Sequence, residues 1–260
     1  MTATTYTIGL AKGQGMVSET MLLLGVWQPG MTSSDLRMNV LEEGLIPRAT
    51  AYRTTDIVSR VFAPRYLRDA GEPAARLKRL IDHGMSREKL TQLCLIYTAR
   101  ENLILHDFVR DVYWKHYHAG VRALQRQEAM DFLKSARAMG RISKPWSDAV
   151  NLRMTRYLLS SLTDFRLTRD LPQGKREILP FTLLTSTTVY LAYDIHFRGG
   201  SDNRILEHPD WSLFGLDREA IVQELRRAGE EHFIVQYSGE LLRISWKHRT
   251  MEDCLDGIAE

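Results

Sequence analysis

Residues 147–181 of the chain, SDAVNLRMTRYLLSSLTDFRLTRDLPQGKREILPF, decide how its middle third folds. Ser147 is a favourable N-cap for a helix reaching about residue 163, along which apolar side chains recur every three or four positions. Two short runs, residues 165–169 and 177–181, then have the composition of strands, and a polar turn with proline and glycine separates them. The stretch therefore predicts a helix followed by a β-hairpin.

A second helix is predicted just before this stretch. It runs from about residue 128 to 139, and the basic connector 141–144 joins it to the next helix. Helix, turn, helix and hairpin in this order are typical of a winged helix-turn-helix, whose second helix enters the major groove of DNA. On that second helix Arg153 and Arg156 fall on one side and the apolar residues on another.

Further helices are predicted on either side of this region, with a second hairpin near the C-terminal end. The approximate ranges are 18–27, 33–43, 49–62, 101–118 and 217–228 for helices, and 233–237 and 240–246 for strands. We therefore predict a mainly α, multi-helical fold with winged helix-turn-helix elements and small β-hairpins. Its predicted regions are 1–125 (helical), 126–182 (winged helix-turn-helix) and 183–260 (helix and hairpin).

Composition restricts the class of protein. The 260 residues are 44% hydrophobic and 26% charged, which excludes a disordered chain. Cys94 and Cys254 lie far apart in sequence and in no CxxC motif, so neither a zinc ribbon nor a redox pair is predicted. No apolar run approaches the roughly 20 residues that span a bilayer. The first fifteen residues lack the pattern of a signal peptide. We expect a cytoplasmic protein.

Positive charge is concentrated in residues 134–176. This segment contains ten Lys or Arg residues and three Asp residues, although the net charge of the whole chain is only +3. A winged helix-turn-helix needs cations in its connector, on its second helix and at its hairpin tip to contact phosphates. Solvated helix-surface arginines are the alternative explanation. The predicted DNA contacts are Arg141, Lys144, Arg153, Arg156, Lys175 and Arg176.

A second, weaker basic stretch covers residues 37–79. Arg48 and Arg53 near the start of the predicted 49–62 helix could meet phosphates at its positive end, and we include them as candidate DNA contacts. Ordinary surface arginines with partners inside the chain, such as Asp56 and Arg60 at i, i+4, explain the pattern at least as well.

Signatures of enzymes and metal sites are weak. Residues 9–15 are glycine-rich but match no phosphate-binding loop, so they predict a flexible leader. His116 and His118 are two positions apart and so fall on different helix faces. With His106 and Asp107 they indicate a helix surface, and no metal site is predicted. Asp194 and His196 could belong to a hydrolytic site, but an alternating strand or a structural hydrogen-bond network is commoner. We predict no catalytic residue and no cofactor.

Residues 190–216, YLAYDIHFRGGSDNRILEHPDWSLFGL, resemble the BrxA family of bacterial BREX phage-defence systems. The resemblance extends to the segment that begins at Trp146 and Ser147. It implies a cytoplasmic, mostly helical, non-catalytic protein that binds DNA beside a methyltransferase, a phosphatase-like protein and ATPases. Together with the basic helix and hairpin, we expect the ligand to be double-stranded DNA. Some members have been called inner-membrane proteins, which the hydropathy of this chain contradicts. Others have been likened to NusB-type RNA-binding proteins, so RNA remains an alternative ligand.

A protein-interaction adaptor is the main rival function. In that hypothesis the basic segment docks on acidic partners among the other BREX proteins. Residues 217–260, with ten acidic and six basic side chains, would supply an assembly surface. The two functions are compatible with each other.

Overall fold

The computed structural model describes residues 5–239 and 241–259, which are mainly helical and carry small antiparallel sheets. The chain divides into two compact units. The first comprises residues 1–75 and 94–181, and the second comprises 76–93 and 182–260. The three regions proposed from the sequence stay a prediction. Within the described residues, no helix is both long and apolar enough to cross a membrane.

Helices account for most of the described chain. They are α1 (Val17–Val26), α2 (Ser33–Glu42), α3 (Ala51–Asp56), α4 (Ala63–Tyr66), α5 (Glu72–Asp82), α6 (Arg87–Glu101), α7 (Leu103–Phe108), α8 (Trp114–His118), α9 (Arg126–Ala138), α10 (Asp148–Asp164), α11 (Thr185–Phe197), α12 (Asp202–Ile205), α13 (Arg218–Arg227) and α14 (Met251–Ala259). π-Helical segments at Ile57–Phe62 and Val109–Tyr113 continue α3 into α4 and α7 into α8.

The strands form one sheet in each unit. They are β1 (Ala123–Leu124), β2 (Thr168–Asp170), β3 (Arg176–Ile178), β4 (Phe233–Ser238) and β5 (Leu241–Trp246). In the first unit β3 lies between β1 and β2 and is antiparallel to both. In the second unit β4 and β5 form an antiparallel hairpin. The predicted strand 240–246 begins at Glu240, which lies outside the described residues.

Capping residues set the start of two helices where the sequence predicts it. The Ser147 hydroxyl accepts a hydrogen bond from the Val150 amide at 3.4 Å, and the Asp217 carboxylate accepts one from the Ala220 amide at 2.9 Å. The predicted Ser147 cap and the predicted start of a helix at residue 217 are both confirmed. The helix predicted over 49–62 instead continues, through the π-helical segment Ile57–Phe62, past Pro64 to Tyr66.

Helix α11 is where the sequence pattern misleads. Residues 186–195 are all buried, so the helix has no polar face and its sequence has no amphipathic period. The alternating-strand interpretation of Asp194 and His196 is therefore wrong. Helix α11 packs against α13 and α14 in the second unit, and α14 was not predicted. Tyr190 and Tyr193 are fully buried, as expected of core aromatics.

The glycine-rich segment 9–15 is fixed to the first unit, so the prediction of a flexible leader is wrong. Arg65 is buried and donates hydrogen bonds to the carbonyl oxygens of Gly13 (2.6 Å) and Gly15 (3.2 Å). A Cβ atom on Gly15 would lie 2.5 Å from the Cβ of Asp164 at the end of α10. The glycines therefore permit a close approach to α10 that any larger residue would prevent.

Candidate nucleic-acid interface

Helix α10 is the centre of the candidate interface. Met154, Leu158 and Leu162 are buried on its inner face, where α10 packs against α9. Arg153 and Arg156 are exposed on its outer face, three residues apart. Neither guanidinium has an ion-pair partner among the described residues. Both side chains are therefore available to an external anion.

The connector between α9 and α10 carries two predicted contacts with different environments. Lys144 is exposed and has no carboxylate partner in the described chain. Arg141 donates to Asp107 Oδ2 at 2.8 Å, and its guanidinium lies 4.6 Å from the ring centroid of Tyr6. The Tyr6 amide also donates to the Arg141 carbonyl at 2.7 Å. The geometry of Arg141 fits a residue that holds the connector, whereas Lys144 is free to bind.

Asp107, the carboxylate that pairs with Arg141, is buried. The prediction that it lies on a helix surface is wrong. Its carboxylate accepts the Tyr6 hydroxyl at 2.5 Å and contacts Arg110 at 3.0 Å. Burial raises the pKa of Asp107, but hydrogen bonds from His106 and Tyr6 and the charges of Arg110 and Arg141 outweigh it and hold the pKa at about 2. The carboxylate is therefore ionised and paired at neutral pH.

Replacement of Asp107 by Asn should destabilise the protein in a pH-dependent way. The folded-state pKa lies below the unfolded value of about 3.9, so the charge stabilises the fold above that value. The stabilisation is lost as the pH falls towards 2. We expect the variant to lose about 2 kcal/mol at pH 7 and much less at pH 2.5, as measured by urea unfolding.

Asp111→Asn is the matched control, because Asp111 is more exposed and its one ion pair within residues 5–239 and 241–259 is with Arg110 at the surface. Its effect should stay below about 1 kcal/mol. An Asp107→Asn effect that does not change between pH 7 and pH 2.5 would show that packing, and not charge, holds the connector.

The hairpin formed by β2 and β3 carries two predicted DNA contacts, and one of them is exposed to solvent. Lys175 is exposed and has no ion-pair partner in the described chain. Arg176 lies opposite Asp170 in the sheet, and its Nε is 3.0 Å from the Asp170 carboxylate. Only 15% of the Arg176 side chain is exposed. Lys175 can therefore meet a ligand freely, whereas Arg176 is already engaged inside the protein.

In the second basic stretch, residues 37–79, one predicted DNA contact is available to a ligand and the other is engaged within the protein. Arg48 is exposed and has no ion-pair partner in the described residues. Arg53 donates a hydrogen bond to the carbonyl oxygen of Lys12 at 2.6 Å, so its guanidinium is already engaged by the N-terminal segment. The alternative pair of Asp56 and Arg60 is confirmed, at 3.1 Å. This stretch therefore offers fewer free cations than its composition suggests.

Sequence reasoning missed Arg126, the first residue of α9. One of its guanidinium nitrogens lies 3.8 Å from the position that a Cβ on Gly174 would take, so Arg126 lies beside the hairpin tip. It is exposed, and no carboxylate pairs with it in the part of the chain described. The pairing of β1 with β3 could have indicated this position, because it brings the start of α9 towards the hairpin.

Asp194 and His196 have environments that fit structural roles. Asp194 is fully buried in the second unit and accepts from Arg76 at 2.5 Å and from Arg198 at 2.9 Å. His196 stacks on Trp246 with ring centroids 4.1 Å apart, and burial lowers its pKa. The predicted hydrogen-bond network is thus present. No cluster of three or more potential metal ligands occurs among residues 5–239 and 241–259.

Comparisons with known proteins address the fold and the family. The BrxA family model matches residues 4–194. The chain is also similar to an uncharacterised protein from Magnetospirillum magneticum, whose crystal structure has 16% sequence identity and a TM-score of 0.57. That similarity covers 74% of this chain and 94% of the other, and at this identity it concerns the fold alone. No curated protein matches the sequence.

Proposed function

This chain belongs to the BrxA family, which makes it a BREX-associated protein, and on that premise we propose that it is a non-catalytic component that binds duplex DNA. In this proposal it acts in the bacterial cytoplasm during phage defence and contacts DNA mainly through backbone phosphates. One observation carries the proposal: Arg153 and Arg156 are exposed on α10 and have no ion-pair partner among the described residues.

We further propose that the segment from β1 to β3 works as a winged helix-turn-helix. In such folds a strand before the two helices pairs with the second strand of the hairpin, and the strand order β1-β3-β2 agrees with this. Helix α10 is then the recognition helix, and the tip at Lys175 is the wing. The connector between α9 and α10 is longer than the three or four residues of a simple helix-turn-helix turn.

Binding should weaken steeply with salt. Four cations of this segment, at positions proposed from the sequence, have no ion-pair partner in the part of the chain that the structure describes: Lys144, Arg153, Arg156 and Lys175. If each neutralises one phosphate, the slope of log K against log salt is about −3.6. The affinity for a labelled duplex, measured by fluorescence anisotropy, should then fall roughly 100-fold between 50 and 200 mM salt. A slope near zero would contradict phosphate binding.

The same titration with single-stranded DNA and duplex RNA separates the candidate polymers. We expect the DNA duplex to bind most tightly, because a helix and a wing fit a wide major groove and its flanking phosphates. A-form RNA has a major groove too deep and narrow for side chains to read. Tighter binding of RNA would favour the RNA alternative.

An adaptor function is the second candidate. The β4–β5 hairpin supports it, because Leu241 at the start of β5 is 69% exposed although it is a large apolar residue. Co-purification with other BREX proteins that survives nuclease treatment, together with no shift of naked DNA, would favour this function over DNA binding.

A further inference from the structure

A cavity of about 420 Å³ lies in the second unit at the N-terminal end of α11. Lys89, Thr185, Ser186 and His232 are among the residues that line it, and it includes none of the proposed DNA contacts. A volume of this size is within the range of small-molecule sites. The chemistry of the lining indicates which ligand would fit.

The end of α11 presents backbone donors at this cavity. The helix has 13 residues, and its N-cap, Leu184, has no side chain able to accept a hydrogen bond. The Thr187 and Thr188 amides bond to the Leu184 carbonyl, at 2.9 and 3.1 Å. The amides of Thr185 and Ser186 have no acceptor among the described residues. This end of the helix also carries the positive end of the helix dipole, which favours an anion.

Ser186 provides an independent indication of a ligand. The residue lines the cavity and is only 7% exposed, yet its hydroxyl has no hydrogen-bond partner in the described structure. The hydroxyls of Thr187 and Thr188 in the same turn are buried and unpartnered as well. Buried polar groups without partners are rare in native proteins and call for a bound water or ligand.

Lys89 adds a full positive charge. Its Nζ donates a long hydrogen bond of 3.5 Å to the Ile258 carbonyl, which leaves its remaining N–H groups for a ligand. Glu231 is the carboxylate at the cavity, but its side chain is 78% exposed, and it lies 3.6 Å from His232 Nε2. Most of the Glu231 side chain is therefore in solvent, and the Ile258 carbonyl is already engaged by Lys89.

We propose that this cavity binds a phosphoryl group, either as inorganic phosphate or as part of a nucleotide. The phosphoryl oxygens accept from the Thr185 and Ser186 amides and the Ser186 hydroxyl, and Lys89 neutralises their charge. An oxyanion at a helix N-terminus with an added lysine is a recurrent arrangement in proteins. The cavity shares no residue with the proposed DNA contacts, so either proposal can fail without the other.

Calorimetric titration of the full chain tests the proposal. The probes are inorganic phosphate, AMP and adenosine, at an ionic strength held constant with sodium chloride. We expect one phosphate or one AMP per chain and no binding of adenosine. Lys89→Met and Ser186→Ala should each weaken binding about tenfold or more, because each removes a donor to a charged group. Lys247→Met is the matched control, since Lys247 is exposed and does not line the cavity.

Melting temperatures measured with and without phosphate complete the test. Phosphate should raise the melting temperature of the wild type and of Lys247→Met, but not that of the two site variants. Binding of AMP alone, without adenosine, would identify a nucleotide as the source of the phosphoryl group. The proposal is overturned if neither phosphate nor AMP binds, if adenosine binds as well as AMP, or if both site variants keep wild-type affinity.

Discussion

The double variant Arg153→Glu/Arg156→Glu should bind duplex DNA roughly 100-fold more weakly than the wild type at fixed salt. Each substitution removes a cation from the outer face of α10 and places an anion near the phosphates. A change of about 1.4 kcal/mol for each reversal corresponds to a tenfold loss of affinity. Fluorescence anisotropy with a labelled duplex measures the loss.

The fold should tolerate this double variant. Both side chains are exposed and form no ion pair in the described structure, so their replacement breaks no packing inside the protein. The melting temperature should stay within a few degrees of the wild-type value. A variant that melts much earlier would mean that α10 uses these arginines for stability.

A second double variant controls for net charge. Arg226→Glu/Arg243→Glu changes the charge of the chain by the same amount, but its positions lie in α13 and β5, outside the proposed interface. We expect its affinity for DNA to stay near that of the wild type. If both double variants lose affinity equally, DNA is attracted by overall charge and α10 has no special role.

The structure also explains which candidate contacts could be identified from the sequence. The exposure of Arg153 and Arg156 follows from the helical period, because Met154 and Leu158 fix the inner face of α10. The engagement of Arg141 could not be foreseen, since its partner Asp107 lies 34 positions away and Tyr6 lies farther still. Such contacts depend on tertiary packing, which a local pattern does not contain.

The same distinction applies to the fold. Amphipathic helices with capping residues, such as α10 and α13, are predicted to within about two residues because one face meets the core and the other meets water. Helix α11 is buried on every side. Its residues all face the same apolar environment, so its sequence shows no helical period of apolar and polar residues. The pair of Asp170 and Arg176 in the hairpin lies between these two cases. The strand register that places them opposite each other could be inferred from the turn.

Loss of the Asp194 carboxylate should produce the largest change in stability. Asp194 is fully buried, and Arg76, whose side chain is 9% exposed, donates to it at 2.5 Å. Asp194→Ala leaves the Arg76 charge without this partner in a site of low polarity. Breaking a buried pair from one side typically costs about 3–5 kcal/mol, which urea unfolding measures. A loss below 1 kcal/mol would contradict this role.

Two further variants test the structural role of Asp194. Arg198→Ala removes the exposed partner of the same carboxylate and should cost no more than about 1 kcal/mol. Arg76→Met combined with Asp194→Leu removes both buried charges together, so it should recover part of the stability lost in Asp194→Ala. Recovery in the double variant would mean that the pair serves the fold of the second unit, because the loss in Asp194→Ala would then come from the Arg76 charge that stays behind in the core. If the double variant is instead as unstable as Asp194→Ala, the charge of Arg76 is not the cause of the loss.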